Sequence, residues 1–250
     1  MIKRDVVGRY KGSTLGLAWS IFNPIFMLAI YTIIFSEVFK LRWNTQGESE
    51  SRLQFALMLF VGLIILNLFN EVISRAPTLV VQNVNYVKKV VFPIEILPIM
   101  AVGSALFHAL ISLGVLIITF ALFNGFLPLT FPLIVVVLTP FLFFLMGLSW
   151  LLASLGVFIR DISQSMGLVV SVMTFLSPVF YPLTAVPEKL RWVILLNPLT
   201  FIIEQSRSVL LLGILPDWAG LALYTIVSLL MILIGYAWFQ KTRRGFADVL

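Results

Sequence analysis

The stretch ILPIMAVGSALFHALISLGVLIITFALFNGFLPLTFPLIVVVLTPFLFFLMGLSWLLASLGVFI, residues 96–159, contains no Asp, Glu, Lys or Arg. A bilayer core needs only about 20 apolar residues per spanning helix. The stretch is therefore long enough for two crossings, and Asn124-Gly125 with Pro128 supplies a tight-turn signal between them. The rest of the chain has the same character. Its 250 residues are 60% hydrophobic and 11% charged, with mean hydropathy +1.07, whereas soluble domains are about half apolar and about a quarter charged. The fold class this predicts is all-α, a polytopic membrane protein.

Six spans are predicted, over residues 19–39, 53–73, 96–123, 129–159, 162–181 and 218–239. An even number puts both termini on one side. With the termini inside, that side carries Lys3, Arg4, Arg9, Lys11, Arg75, Lys88, Lys89, Arg160, Lys241, Arg243 and Arg244, and the opposite side Lys40, Arg42, Arg52, Lys189, Arg191 and Arg207. The 11-to-6 split favours cytoplasmic termini by the positive-inside rule. The first apolar run is longer than a signal-peptide core and has no small-residue cleavage pattern, so a retained anchor is expected. The net charge of +6 is small for a nucleic-acid binder, and orientation in the membrane explains it better. No nucleic-acid partner is expected.

Residues 178–216 break the pattern. They hold five prolines (178, 182, 187, 198 and 216) and the charges Glu188, Lys189, Arg191, Glu204 and Arg207, around apolar runs too short to span. Non-helical backbone at membrane depth is tolerated only where protein or a water-filled cavity covers it. A re-entrant pair of short helices over 183–215 is predicted, with an ordinary loop carrying an interfacial helix as the alternative. Neither half of the chain mirrors the other and no 20–50 residue period is present, so one domain over 1–250 is expected.

Catalytic chemistry finds little support. There is no cysteine, and His108 is the single histidine, inside the third span. A packed, hydrogen-bonded histidine is expected, with no metal. Ionisable residues inside a bilayer are functional suspects by default. Glu37 lies within reach of the interface, and Glu71 has Arg75 four positions on, so a structural Glu71–Arg75 pair is expected. No G-x-x-x-x-G-K-[ST] phosphate loop is present. Work for any pumping must come from another subunit.

Three segments then stand out. VNYVKKVVFPIEILP (residues 84–98) sets Lys88 and Lys89 ahead of Phe92-Pro93, where proline disfavours helix in the residue before it. A short cytoplasmic helix over 83–92, exposing Asn85, Tyr86, Lys88 and Lys89, is suited to plug a groove on a partner. The alternative is that the lysines only fix topology or meet anionic headgroups. The N-terminal segment, 1–18, carries Gly8, Gly12 and Gly16 at four-residue spacing among Arg4, Arg9, Tyr10 and Lys11. It is predicted as an interfacial helix whose glycines allow close backbone approach to a neighbour, with a frayed basic tail as the alternative. In the first span Trp19, Phe22 and Phe26 fall on one face and Tyr31, Phe35 and Phe39 on the other. One face packs and the other lines a path, unless both simply meet lipid.

On these residues the chain resembles the membrane subunits of ABC-2 type polysaccharide exporters, of the O-antigen, capsule and teichoic-acid kind. The resemblance rests on Arg9, Tyr10, Lys11, Leu15, Gly16, Trp19 and Pro24, and on Lys89, Phe92, Pro93, Glu95, Leu97 and Pro98. Further on it rests on Arg160-Asp161, on Ser177, Pro178, Val179, Tyr181 and Pro182, and on V-P-E with Arg191. N-P-L followed by Glu204, Arg207 and Gly213 completes the series. Ile94 departs from it, standing where the family more often has a basic residue.

The resemblance implies a homodimeric membrane core in the bacterial inner membrane, docked on two copies of a separate nucleotide-binding subunit. That subunit would bind the ATP and Mg, leaving no cofactor in this chain. It makes 83–92 the coupling helix, with Asn85, Tyr86, Lys88 and Lys89. The gate helix is 1–18, with Arg4, Arg9, Tyr10 and Lys11, and the outer gate 183–215, with Pro187, Glu188, Arg191 and Arg207. The substrate would be a lipid-linked glycan sliding past Tyr31, Phe35, Phe180 and Tyr181. Alternatives are an ABC-2 exporter of a small drug or lipid, and a membrane enzyme acting on a lipid-linked sugar.

Overall fold

The computed structural model describes residues 2–9, 12–34, 52–88 and 92–250; Glu37 and Phe39 lie outside them. The described residues form helices and connecting turns, with no strand. Long charge-free runs leave the backbone one way to satisfy its polar groups in lipid, which is within the helix. The major helices are α1 (Ile2–Arg9), α2 (Trp19–Ile33), α3 (Arg52–Arg75), α4 (Val84–Lys88), α5 (Ile96–Asn124) and α6 (Ile134–Phe158). They continue as α7 (Ile162–Leu176), α8 (Glu188–Leu196), α9 (Pro198–Arg207), α10 (Trp218–Thr242) and α11 (Phe246–Val249).

Among the described residues five stretches are long and apolar enough to cross a bilayer: Gly16–Ile33, Leu53–Thr78, Ile96–Asn124, Phe131–Phe158 and Trp218–Val249. The turn predicted at Asn124-Gly125 is present. Gly125 adopts φ 73°, and its N–H returns to the Ala121 carbonyl to close α5. The predicted span 162–181 is shorter than expected. Its helix α7 has 15 residues, about 22 Å at 1.5 Å per residue. It stops at Ser177, whose extended backbone leads into Pro178.

Helix α3 is the hub, buried along most of its length and packed against α2, α5, α6, α7 and α9. Helices α6 and α10 lie backbone to backbone. A Cβ on Gly147 would overlap the Met231 carbonyl, and one on Gly235 the Gly147 carbonyl. Small residues let helices touch where no hydrophobic effect drives them together. Gly156 likewise sits against the Pro77 carbonyl.

Both termini meet at one end of the bundle. Asp5 of α1 pairs with Arg75 at the end of α3, and Arg243 after α10 pairs with Glu95 just before α5. This basic end also holds α4. The other end carries α8 and α9, where Arg207 reaches Met58 and Thr130 donates to the Val209 carbonyl (2.7 Å).

The N-terminal segment departs from the single helix predicted over 1–18. Among the described residues of this segment only Ile2–Arg9 is α-helical; Gly12 (φ 91°) sits in a turn and Gly16 (φ 50°) opens a 3-10 helix that leads into α2. The three glycines therefore do not share one helix face. A Cβ at Gly8, Gly12 or Gly16 would meet nothing within 4 Å. Two of these glycines serve the left-handed backbone that turns the chain into α2.

Candidate functional site

At the basic end the structure brings α1 against the end of α3 and against α4, 70 and 82 residues further along the chain. Arg4 Nη2 donates to the Tyr86 hydroxyl across 3.1 Å, tying α1 to α4. The Tyr86 ring stacks on Phe92 with centroids 4.7 Å apart. Next to Arg4, Asp5 receives both Nη groups of Arg75 at 3.1 Å, which ties α1 to α3. Between α1 and α4 lies a cavity of about 390 Å³ lined by Arg4, Asp5, Arg75, Gln82, Tyr86 and Phe92.

Ile94 and Glu95, just before α5, are held just as firmly. Trp150 Nε1 of α6 donates to the Glu95 carbonyl (3.0 Å), and Arg243 pairs with the Glu95 carboxylate (3.2 Å). Ile94 packs between two apolar clusters, one of Val80, Trp150 and Phe246 and the other of Leu79, Leu97 and Ala101. An apolar residue at that position is an internal anchor of the loop. Of the predicted coupling residues, Asn85 is exposed, Tyr86 is half-buried, Lys88 closes α4, and Lys89 lies outside the described residues. Of the predicted gate residues, Arg4 faces α4, Arg9 closes α1, and Tyr10 and Lys11 lie outside the described residues.

At the other end Pro187 and Glu188 are exposed at the start of α8, and Arg191 is half-buried with a long bond to the Val186 carbonyl (3.5 Å). Arg207 is different. It is 2% exposed and donates to the carbonyls of Met58 (2.9 Å), Pro178 (2.8 Å) and Val179 (3.1 Å) and to Glu204 Oε1 (2.7 Å). A buried guanidinium is tolerable only with charge pairing and filled donors, and this one has both. Gly62 on α3 leaves room for it, since a Cβ there would lie 3.1 Å from Arg207 Nη2. Arg207 thus fastens α9 to α3 and to the turn after α7. Asn197 adds a second fastening by capping α9 through Leu199 N (2.9 Å) and donating to Ser177 Oγ (2.9 Å).

The predicted path residues lie on separate elements of the chain. Tyr31 is half-buried against α3 and lines a cavity between α2, α3 and α5. Phe180 and Tyr181 lie in the turn after α7, where the Tyr181 hydroxyl donates to the Phe175 carbonyl (3.0 Å). Phe35 lies outside the described residues. In α2, Phe22 and Phe26 point away from the chain's own core, 54% and 64% exposed.

His108 is hydrogen-bonded, as expected, with Nδ1 3.2 Å from Glu71 Oε2. The predicted Glu71–Arg75 pair is present at 3.9 Å, and Asp5 holds the same guanidinium more closely, at 3.1 Å. Sequence reading missed Asp5 as that partner, since 70 residues separate them. It also missed Glu204 as the partner of Arg207, although their i,i+3 spacing was a visible signal. Among the described residues no group of three His, Cys, Asp or Glu could hold a metal ion.

The profile of the ABC-2 type transporter family matches residues 1–211. This chain belongs to that family. The ABC-2 chain is 28% identical over 252 residues to an O-antigen export system permease protein RfbA of Klebsiella pneumoniae, covering 99% of this chain and 92% of the relative. A Myxococcus xanthus protein of the same name is 25% identical, over 99% of this chain and 93% of its own length. Polysialic acid transport protein KpsM of Escherichia coli is 21% identical, over 95% of the ABC-2 chain and 90% of the relative.

Proposed function

We propose that this chain is the membrane subunit of an ATP-driven exporter that moves a lipid-linked, O-antigen-like polysaccharide across the bacterial inner membrane. Two copies form the core, each docked through α4 on a separate nucleotide-binding subunit that binds ATP and Mg. Both termini are cytoplasmic, so the basic end faces the ATPase. Helix α7 completes a sixth crossing together with the turn at Ser177, and α8 and α9 enter the outer leaflet as a re-entrant pair. The near-full-length likeness to O-antigen export permeases supports the substrate class.

The observation that carries the coupling role is the bonded unit at the basic end. A push on α4 is passed to α1 through Arg4–Tyr86 and on to α3 through Asp5–Arg75. It reaches α6 and α10 through Glu95. A surface lever coupled to several spans at once can separate two copies without chemistry in this chain.

The test is charge reversal of Lys88 and Lys89 in cells lacking the native protein. Export is expected to cease and glycan to accumulate inside, while the variant still inserts and the co-purifying ATPase is lost. Full export by that variant would refute docking through α4. If small amphiphiles, rather than lipid-linked glycan, stimulate ATP hydrolysis by the reconstituted complex, the substrate assignment fails.

A further inference from the structure

Helices α2, α3 and α5 enclose a cavity of about 440 Å³, within the size range of small-molecule sites. Helix α2 offers it a single stripe, Trp19, Asn23, Met27 and Tyr31, at four-residue spacing. Helix α3 offers Asn67 and Glu71, one turn apart, and α5 offers His108. Glu71 lies one turn before Arg75, and His108 lies twelve residues into α5, about 18 Å along it. The cavity therefore runs from the basic end into the bundle at the depth of the adjoining leaflet.

Its lining is unusual for that depth. Two amides, a carboxylate and an imidazole stand among spans in which apolar side chains would suffice to pack. Glu71 and His108 hold each other at 3.2 Å, so their remaining lone pairs and donors are fixed in direction. Asn67 is exposed on an otherwise buried stretch of α3, and Asn23 is exposed on α2.

The chemistry of the lining narrows the ligand. No Lys or Arg is among the described residues that line the cavity, and Arg75 nearby is engaged in both its Nη groups by Asp5. A phosphate or carboxylate would face Glu71 with only Arg75 as a nearby cation, already shared between Asp5 and Glu71. A purely apolar ligand would desolvate both amides for no return. A neutral polyhydroxyl ring satisfies all of it: hydroxyls both donate and accept, as amides do, a carboxylate accepts from neighbouring hydroxyls, and the C–H face of a sugar ring packs on Trp19 or Tyr31.

We infer that this cavity is a sugar-binding subsite, which takes neutral residues of the glycan as they enter from the basic end. The inference rests on the exporter reading above and sharpens it. The glycan's phosphate linkage stays outside, and the first sugars are registered against Asn23, Asn67 and Glu71.

The test uses the full chain in nanodiscs and alkyl probes of one tail length: octyl maltoside below its micelle concentration, octyl phosphate and octanol. Trp19 reports, and Trp19→Phe identifies its share of the emission change. Octyl maltoside is expected to shift Trp19 emission saturably, octyl phosphate and octanol not, and Asn23→Leu/Asn67→Leu is expected to weaken octyl maltoside about tenfold. The double variant replaces polar by apolar side chains, so its insertion should be at least as good as the parent's. Equal response to all three probes would mean a groove for lipid tails and would overturn the subsite. A stronger response to octyl phosphate would mean an anion site, and so would overturn it too, as would unchanged affinity in the double variant. Binding is measured without ATPase or export, so the subsite and the exporter reading fail separately.

Discussion

Arg207 Nε donates to the Met58 carbonyl at 2.9 Å, joining residues 149 apart in the chain. The same guanidinium holds the turn at Pro178-Val179 and the Glu204 carboxylate. One side chain thus locks α9, α3 and the end of α7 into a single block.

Arg207→Ala should therefore be among the most damaging single substitutions in the chain. It leaves three buried carbonyls without their donor and is expected to cost about 3–5 kcal/mol. Arg207→Lys keeps the charge but lacks the planar fork and should fall between the two. Thermal unfolding of the detergent-solubilised protein, followed by circular dichroism, gives the order; an unchanged midpoint for Arg207→Ala would contradict the clamp.

Tyr86→Phe removes the acceptor of Arg4 yet keeps the ring on Phe92. Because the bond is exposed, stability should change by less than about 1 kcal/mol. Export should drop several-fold while ATP hydrolysis continues, since the ATPase stays docked and only the link from α4 to α1 is cut. Equal losses of both activities would point to failed docking instead.

Asp5 and Arg75 form a partly buried pair that can be swapped. Asp5→Arg alone places two cations together and should weaken export and stability; Asp5→Arg/Arg75→Asp should recover most of both. The coupling energy in a double-mutant cycle is expected near 1 kcal/mol. A double variant no better than the sum of its singles would rule out a direct role for the pair.

Gly147→Ala forces a methyl into the Met231 carbonyl and should separate α6 from α10 at a cost of about 1–3 kcal/mol. Gly114→Ala on α5, where a Cβ meets nothing within 4 Å, should be neutral or gain up to about 1 kcal/mol. Comparing the two unfolding midpoints separates close helix contact from a general intolerance of alanine.

Much of the architecture was legible in the chain. The charge-free stretch at 96–159 specified α5, α6 and the turn at Gly125, because lipid leaves a backbone no alternative to internal hydrogen bonding. The proline-rich stretch specified two short helices in place of a long one: Pro187 precedes α8 and Pro198 opens α9. The glycine spacing at Gly8, Gly12 and Gly16 misled, since equal intervals fit a helix face and a turn alike, and only the backbone angles distinguish them.

What the sequence by itself determined was thus what depends on local composition: the all-helical class, the long helices of the charge-free stretch 96–159, and that no phosphate loop is present. Tertiary structure alone decided the partners of the charges. Arg75 kept Glu71 one turn away at 3.9 Å and took Asp5 more closely; Glu71 took His108 as well; Arg207 took three carbonyls from two other segments. Charges in a low-dielectric interior pair with whatever packing brings within about 3 Å. That proximity is set by how helices cross, which no run of neighbouring residues encodes.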